Sequence, residues 1–212
     1  MTSKAIFLLT FFIYNLSYSQ TSINRNFNLE LSEDSLKATV LESSLNTFLS
    51  EAQNGTYSNE YVDSVHLNKY EFFFNKLPGI GKNNNPTFNK PIILKSYTPD
   101  EHSYQITVAF TGVKENLPFI YQVTELKAVP YENHYRFYSP FEERTSNFKT
   151  KKIKNVIYYY SGTINEEKAN EFAAFKDKLS ELTQSPKSPL DYYCFENLDE
   201  LLKAYGFLYS AR

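Results

Sequence analysis

Histidines are the first side chains to consider for chemistry, because paired histidines bind catalytic metals. The sequence has three, His66, His102 and His134. None belongs to an H-E-x-x-H motif, in which two histidines one helical turn apart share a zinc ion. Isolated histidines in strands or turns are more often structural, so we expect no metal site and no cofactor.

Nucleophilic chemistry has no recognisable motif either. The G-x-S-x-G elbow of serine hydrolases is absent, and Gly79-Ile80-Gly81-Lys82 lacks the spacing of a phosphate-binding loop. The single cysteine, Cys194, lies between Tyr193 and Phe195 with no base nearby in the sequence. This setting favours a buried thiol over a nucleophile. We therefore expect a protein that is not an enzyme, the alternative being an enzyme whose site has no recognisable motif.

Adjacent carboxylates form the pairs Glu142-Glu143, Glu166-Glu167 and Asp199-Glu200. Glycosidase chemistry requires two carboxylates that face each other across a cleft, which adjacency in sequence does not provide. The last two pairs begin predicted helices, where acidic side chains complement the helix dipole. We interpret the pairs as structural.

Aromatic side chains are the remaining candidates for a binding surface. The chain of 212 residues has 18 Tyr and 18 Phe but no Trp. Aromatic rings stack on sugars or line apolar pockets, and we select Tyr104, Tyr121, Tyr135 and Phe137 as candidate ligand-binding residues. In the alternative interpretation the rings fill the core, because strands favour Tyr and Phe. A genome rich in A and T would also enrich Phe, Tyr, Asn and Lys.

The charge balance limits the classes of partner. With 22 basic and 24 acidic side chains, the net charge is −2. Nucleic-acid binding requires a strong basic excess, so we expect no nucleic-acid partner. The basic run within residues 144–154 is typical of a solvated loop or hairpin. A peptide or another protein is the remaining class of partner.

The first 19 residues predict a secretory signal peptide. Lys4 precedes an apolar run from Ala5 to Tyr14, and Ser17 and Ser19 occupy the −3 and −1 positions before Gln20. This run is about half the ~20 residues that span a bilayer as a helix. We expect cleavage near Ser19, a secreted or periplasmic location, and no membrane span in the mature protein.

The hydrophobic period then divides the chain. Residues 20–31 are polar and predict a flexible leader, whereas residues 32–150 predict an α+β domain in which helices pack on a curved antiparallel meander. A first helix follows the N-cap Ser32 and ends at Asn54-Gly55, and a second helical stretch lies within residues 58–77. Alternating residues predict four strands, Pro91–Thr98, Ser103–Gly112, Leu117–Pro130 and Asn133–Ser139.

Residues 151–212 predict a smaller β-α-β-α unit. Its strands are Val156–Tyr160 and Leu190–Phe195. Its helices begin at the capping boxes that start at Thr163 and Asn197, and the second ends at Gly206. Ala169, Phe172, Phe175, Leu179 and Leu182 share one face of the first of these helices. We expect no element after Gly206, and the unit should either pack on the first domain or be the beginning of a larger one.

Two resemblances extend these predictions. The order helix, helix, long strands over residues 32–139 resembles the nuclear transport factor-like cone fold, in which a curved sheet wraps around helices and often encloses a pocket. The runs VIYYYSG, NEEKANEFAAFKDKLSEL, LDYYCFEN and LDELLKAYGF resemble the opening of gluzincin-type metallopeptidase domains of secreted bacterial proteins. The H-E-x-x-H helix of those domains is missing, so the resemblance implies no zinc ligand or catalytic residue at any position.

Two functions follow as expectations. The first is a secreted, non-catalytic accessory or substrate-presenting region of an extracytoplasmic peptidase-like protein. The alternative is a small-ligand or glycan-binding module that uses the cone pocket. An aromatic-filled interior with an exposed apolar edge on the β-α-β-α unit would favour the first function. An open interior with converging polar groups would favour the second.

Overall fold

The computed structural model describes residues 24–25, 35–78, 90–100 and 102–211. The predicted signal peptide, its cleavage site, most of the predicted leader and the N-cap Ser32 lie outside these residues. The elements run in the order β1 (Asn24–Arg25), α1 (Ser35–Asn54), α2 (Ser64–Lys69), α3 (Glu71–Lys76), β2 (Lys90–Asp100), β3 (Ser103–Lys114), β4 (Leu117–Tyr131), β5 (His134–Tyr138), α4 (Phe141–Thr145), β6 (Lys149–Ile153), β7 (Val156–Tyr160), α5 (Glu166–Leu182), β8 (Leu190–Cys194), α6 (Leu198–Tyr205) and β9 (Phe207–Ser210).

The N-terminal helices follow the predicted boundaries with one difference. Gly55 has φ +65° and ends α1, as expected for a glycine at the C′ position. The second helical stretch is two short helices, α2 and α3, that meet at Tyr70. Asp63 caps α2 by accepting from the His66 N–H at 2.9 Å. Val65 of α2 is 71% exposed, and this short helix has no buried residue.

The larger sheet has the strand order β1-β2-β3-β4-β5, and β9 also pairs with β4. The pairs from β2 to β5 are antiparallel, so the four predicted strands are confirmed in order and approximate extent. Asn24 and Arg25, within the predicted leader, pair in parallel with Ile92 and Ile93. Together with the six helices of the described residues, this sheet confirms the α+β class.

The second sheet has the order β6-β7-β8, with β6 antiparallel and β8 parallel to β7. Helix α5 connects the two parallel strands. The basic run predicted as a loop or hairpin contains β6, which forms a hairpin with β7. The N-cap of α5 is Asn165, two residues after Thr163, and its side chain accepts from the Lys168 N–H at 3.0 Å.

The segment after Gly206 corrects the expectation that no element follows α6. Gly206 has φ +105° and ends α6, and the chain continues directly into β9. This strand pairs antiparallel with β4 through Gln122, Val123 and Thr124. A strand of four residues has too short a pattern to be recognised alone, and its partner lies far away in sequence.

Aromatic rings fill the space between the helices and the larger sheet. The Phe48 ring on α1 is fully buried and stacks on Phe137 of β5 at a centroid distance of 4.7 Å. Tyr57 and Phe74 contact Phe48 at 5.6 and 6.4 Å. Because these rings belong to one cluster of buried side chains, the helix-facing side of the sheet is a packed core.

An ion pair and a hydrogen-bonded chain join the sheet to α4 and α6. The Glu125 carboxylate on β4 pairs with the Arg144 guanidinium and accepts from the Gln105 amide. Arg144 also donates to the carbonyl of Lys203 on α6, and Glu125 N–H donates to the Gly206 carbonyl at 2.8 Å. These bonds hold the end of α6 against β4, which positions β9.

Candidate functional site

The four predicted ligand-binding aromatics lie at different places. Tyr135 and Phe137 are 4% and 0% exposed in the core. Tyr104 is half-buried and contacts Tyr135 at 5.7 Å between centroids. Tyr121 lies beside an irregularity in the β3–β4 pairing, and its carbonyl accepts from the Ala211 N–H at 2.8 Å. Since two of the four are packed away from solvent, the set does not form one accessible surface.

The cysteine and two of the carboxylate pairs considered for chemistry lie in surroundings that explain them as structural residues. Burial raises the pKa of the Cys194 thiol, which disfavours the reactive thiolate. The pairs Glu166-Glu167 and Asp199-Glu200 lie in the first turns of α5 and α6. Within the described ranges, no group of three or more His, Cys, Asp or Glu side chains could hold a metal ion.

A polar cluster surrounds His66, the only histidine of the described residues that forms an ion pair with a carboxylate. Its Nδ1 lies 2.8 Å from Asp63 Oδ2. Burial opposes ionisation of Asp63, yet the hydrogen bonds from His66 outweigh it and lower the pKa of this carboxyl. Hydrogen bonds from Lys69 and Tyr70, each 2.7 Å long, lower the pKa of Glu142. Asp63 and Glu142 therefore each have a local partner. The hydrogen bonds from Lys69 and Tyr70 to Glu142 tie α2 to α4.

Helix α5 packs against the second sheet through small residues. Its sheet-facing side carries the small residues Ala169 and Ala173, which are 5% and 1% exposed. The Tyr158 hydroxyl of β7 donates to the Ala169 carbonyl at 2.7 Å, so the helix lies close to the sheet. Small residues permit this approach, and the large apolar residues of the same helix are left on its flank.

The flank of α5 and the neighbouring strand form an exposed apolar surface, which we call the α5–β8 surface. Phe175, Leu179 and Leu182 are 62%, 47% and 73% exposed, at helical spacing. Phe172 continues the stripe and contacts Tyr192 of β8 at 4.8 Å between centroids. Apolar side chains in such a continuous group mark interaction sites more often than scattered ones do. The α5–β8 surface consists of Phe172, Phe175, Leu179, Leu182 and Tyr192.

The backbone of β8 adds polar groups to this surface. Among the described strands, β8 is the last of its sheet and pairs with β7 on one side only. Leu190 N–H donates to Asn155 O at 2.9 Å, which directs Leu190 inward. Because successive residues of a parallel strand alternate in direction, the N–H and C=O groups of Asp191 and Tyr193 point outward. Such an unpaired edge is a template for another strand.

Charged side chains surround the apolar stripe. Lys187 and Glu181 form an ion pair at 2.7 Å, and Lys154 and Asp177 form another at 3.3 Å. An apolar centre with a polar rim is the usual composition of a protein–protein interface. Sequence periodicity identified the apolar face of α5, but periodicity does not reveal whether another element covers that face.

Comparisons of the chain with protein-family models, with curated proteins and with solved structures give no match. Among the described helices, none is both long and apolar enough to cross a membrane.

Proposed function

We propose that this protein is a secreted, non-catalytic accessory or substrate-presenting region of an extracytoplasmic peptidase-like protein. In this proposal it binds its protein partner through the α5–β8 surface. The partner adds a strand to the outer edge of β8 and covers the apolar stripe of α5. The observation that carries the proposal is the exposure of Phe175, Leu179 and Leu182 on a helix that buries alanines.

The geometry of the second sheet supports one kind of partner. Phe172 contacts Tyr192, so the stripe lies on the β8 side of α5. A strand paired with β8 would therefore lie next to the stripe and bury it. Main-chain hydrogen bonds to Asp191 and Tyr193 would supply affinity, and the apolar side chains would supply specificity.

The packing of the core disfavours the alternative function, ligand binding inside a cone. Such a role requires an open interior, whereas Phe48, Phe74 and Phe137 are at most 2% exposed, and the Phe48 ring contacts both of the others. The resemblances to a cone fold and to a gluzincin opening remain part of the proposal. The gluzincin resemblance covers β7, α5, β8 and α6 and is compatible with a second sheet that a further polypeptide extends.

Site-specific photo-crosslinking tests the proposed function. A photoreactive phenylalanine analogue replaces Phe175 in the protein expressed in its producing cells, and the same analogue replaces Val65 as a control. Val65 is 71% exposed on α2 and is not one of the residues of the α5–β8 surface. We expect one extracytoplasmic peptidase-like protein to crosslink at position 175 and not at position 65. Equal labelling at both positions would reject the surface.

Affinity measured with the purified partner completes the test. Phe175→Glu places a charge in the apolar centre and should weaken binding by at least tenfold, because central aromatic contacts contribute about 2 kcal/mol or more. Val65→Glu should leave the dissociation constant within about twofold. Both sites are solvent-exposed, so neither variant should alter the folded state. A Phe175→Glu affinity equal to that of the wild type would contradict the proposal.

A further inference from the structure

A cleft of about 430 Å³ lies where α6 and β9 meet the ends of β7 and β8. It shares no residue with the α5–β8 surface. Its size is within the range of sites for small molecules. The residues that define its chemistry are Arg144, Phe148, Phe195, Glu200, Lys203 and Leu208.

The interior of the cleft is apolar. The rings of Phe148 and Phe195 contact at 5.4 Å between centroids with an interplanar angle of 61°. Leu208 of β9 also lines the cleft and is 40% exposed. Edge-to-face rings and an aliphatic side chain form a wall suited to an apolar group of similar size.

Two opposite charges stand on the α6 side. Glu200 and Lys203 are three residues apart on the helix, which places their Cβ atoms about 5–6 Å apart. They do not form an ion pair with each other, and within the described ranges Lys203 has no ion-pair partner. Glu200 Oε2 accepts from the Glu196 N–H at 3.1 Å. Arg144 is bound to Glu125 and to the Lys203 carbonyl, which orients this turn of α6.

We propose that this cleft binds an α-amino acid with a large apolar side chain. The side chain packs against Phe148 and Phe195, the carboxylate pairs with Lys203, and the ammonium group pairs with Glu200. A ligand with a carboxylate alone would pair with Lys203, but its negative charge would then lie close to the negative carboxylate of Glu200. The ammonium and carboxylate groups of an α-amino acid are close together, as are the Glu200 and Lys203 side chains. One ligand can therefore pair with both side chains at once.

The absence of tryptophan from the chain provides a direct assay. Free L-tryptophan is the probe, and its fluorescence is titrated with the full protein. We expect saturable binding with a blue shift of the emission, because the indole enters an apolar site. Indole-3-propionate, which lacks the ammonium group, and tryptamine, which lacks the carboxylate, should each bind about tenfold more weakly.

Two variants assign the charges. Lys203→Met should weaken L-tryptophan about tenfold and leave tryptamine unchanged, whereas Glu200→Gln should weaken L-tryptophan similarly and leave indole-3-propionate unchanged or tighter. Gln retains an acceptor for Glu196 N–H, and far-ultraviolet circular dichroism checks that both variants fold. No saturable binding, equal affinity for the three probes, or wild-type affinity in Lys203→Met would each overturn the proposal.

Discussion

Gly206→Ala separates backbone conformation from steric contact at the α6–β9 junction. A Cβ built at this position would lie 2.5 Å from the Glu125 carbonyl oxygen and 2.9 Å from Pro140 Cδ. The φ of +105° adds a conformational cost for any residue with a Cβ. Gly55→Ala is the matched control, because Gly55 also follows a helix with positive φ but has nothing within 4 Å of its Cβ position.

The two variants should lower the free energy of unfolding by different amounts. For Gly55→Ala we expect about 1 kcal/mol of destabilisation, which is the cost of a left-handed conformation. For Gly206→Ala, the contact with Glu125 must separate β9 from β4 and weaken the Glu125 N–H to Gly206 bond of 2.8 Å. Overpacking and the weakened bond raise the expected cost to about 3–5 kcal/mol.

Thermal and urea unfolding measure this difference. In a domain of this size, 1 kcal/mol corresponds to about 2–4 °C in Tm. Gly55→Ala should therefore lower Tm by about 3 °C, and Gly206→Ala by about 10 °C. Equal Tm shifts for the two variants would contradict this prediction, since they would show that β9 tolerates a Cβ at the junction.

Three further predictions concern the core, acid stability and export. Phe137→Ala should lower the free energy of unfolding by about 3–5 kcal/mol, because the ring is fully buried and stacks on Phe48. Val113→Ala, at a 46% exposed position, should change the free energy of unfolding measured in urea by about 0.5 kcal/mol or less. Hydrogen bonds from Lys69 and Tyr70 lower the pKa of Glu142 in the folded protein. The contribution of Glu142 to the free energy of unfolding is therefore fully present above the unfolded pKa of about 4.5 and is lost as pH falls through the folded pKa. The Tm of the wild type should therefore exceed that of Glu142→Gln at about pH 6 and approach it at about pH 3; a difference independent of pH would reject this ion pair. Exported protein should begin at Gln20 by mass spectrometry, and material beginning at Met1 would reject the signal peptide.

Features encoded locally were predictable from the sequence. Gly55 and Gly206 end helices because a left-handed residue is needed there, and Asn197 caps α6 through its own side chain. The alternating strands β3 and β4 are long enough for their period to be read directly. These features depend on a few neighbouring residues, so sequence pattern alone was sufficient.

Features that depend on distant partners were missed. The basic composition of β6 left a loop or a hairpin open as predictions, and the pairing with β7 makes it a strand of a hairpin. β9 forms because β4 offers an edge beside β5. Phe175 and Leu182 have the spacing of core residues, but no element of the described chain covers them. The candidate surface could be located only when the packing of α5 was known.

Amide hydrogen exchange of the protein bound to its crosslinked partner shows whether a partner strand pairs with β8. The outward N–H groups of Asp191 and Tyr193 are the ones that a partner strand would bond, whereas Leu190 N–H is already bonded to Asn155. We expect binding to slow exchange at Asp191 and Tyr193 and to leave exchange at Leu190 little changed. Unchanged exchange at Asp191 and Tyr193 in a saturated complex would contradict strand addition at β8.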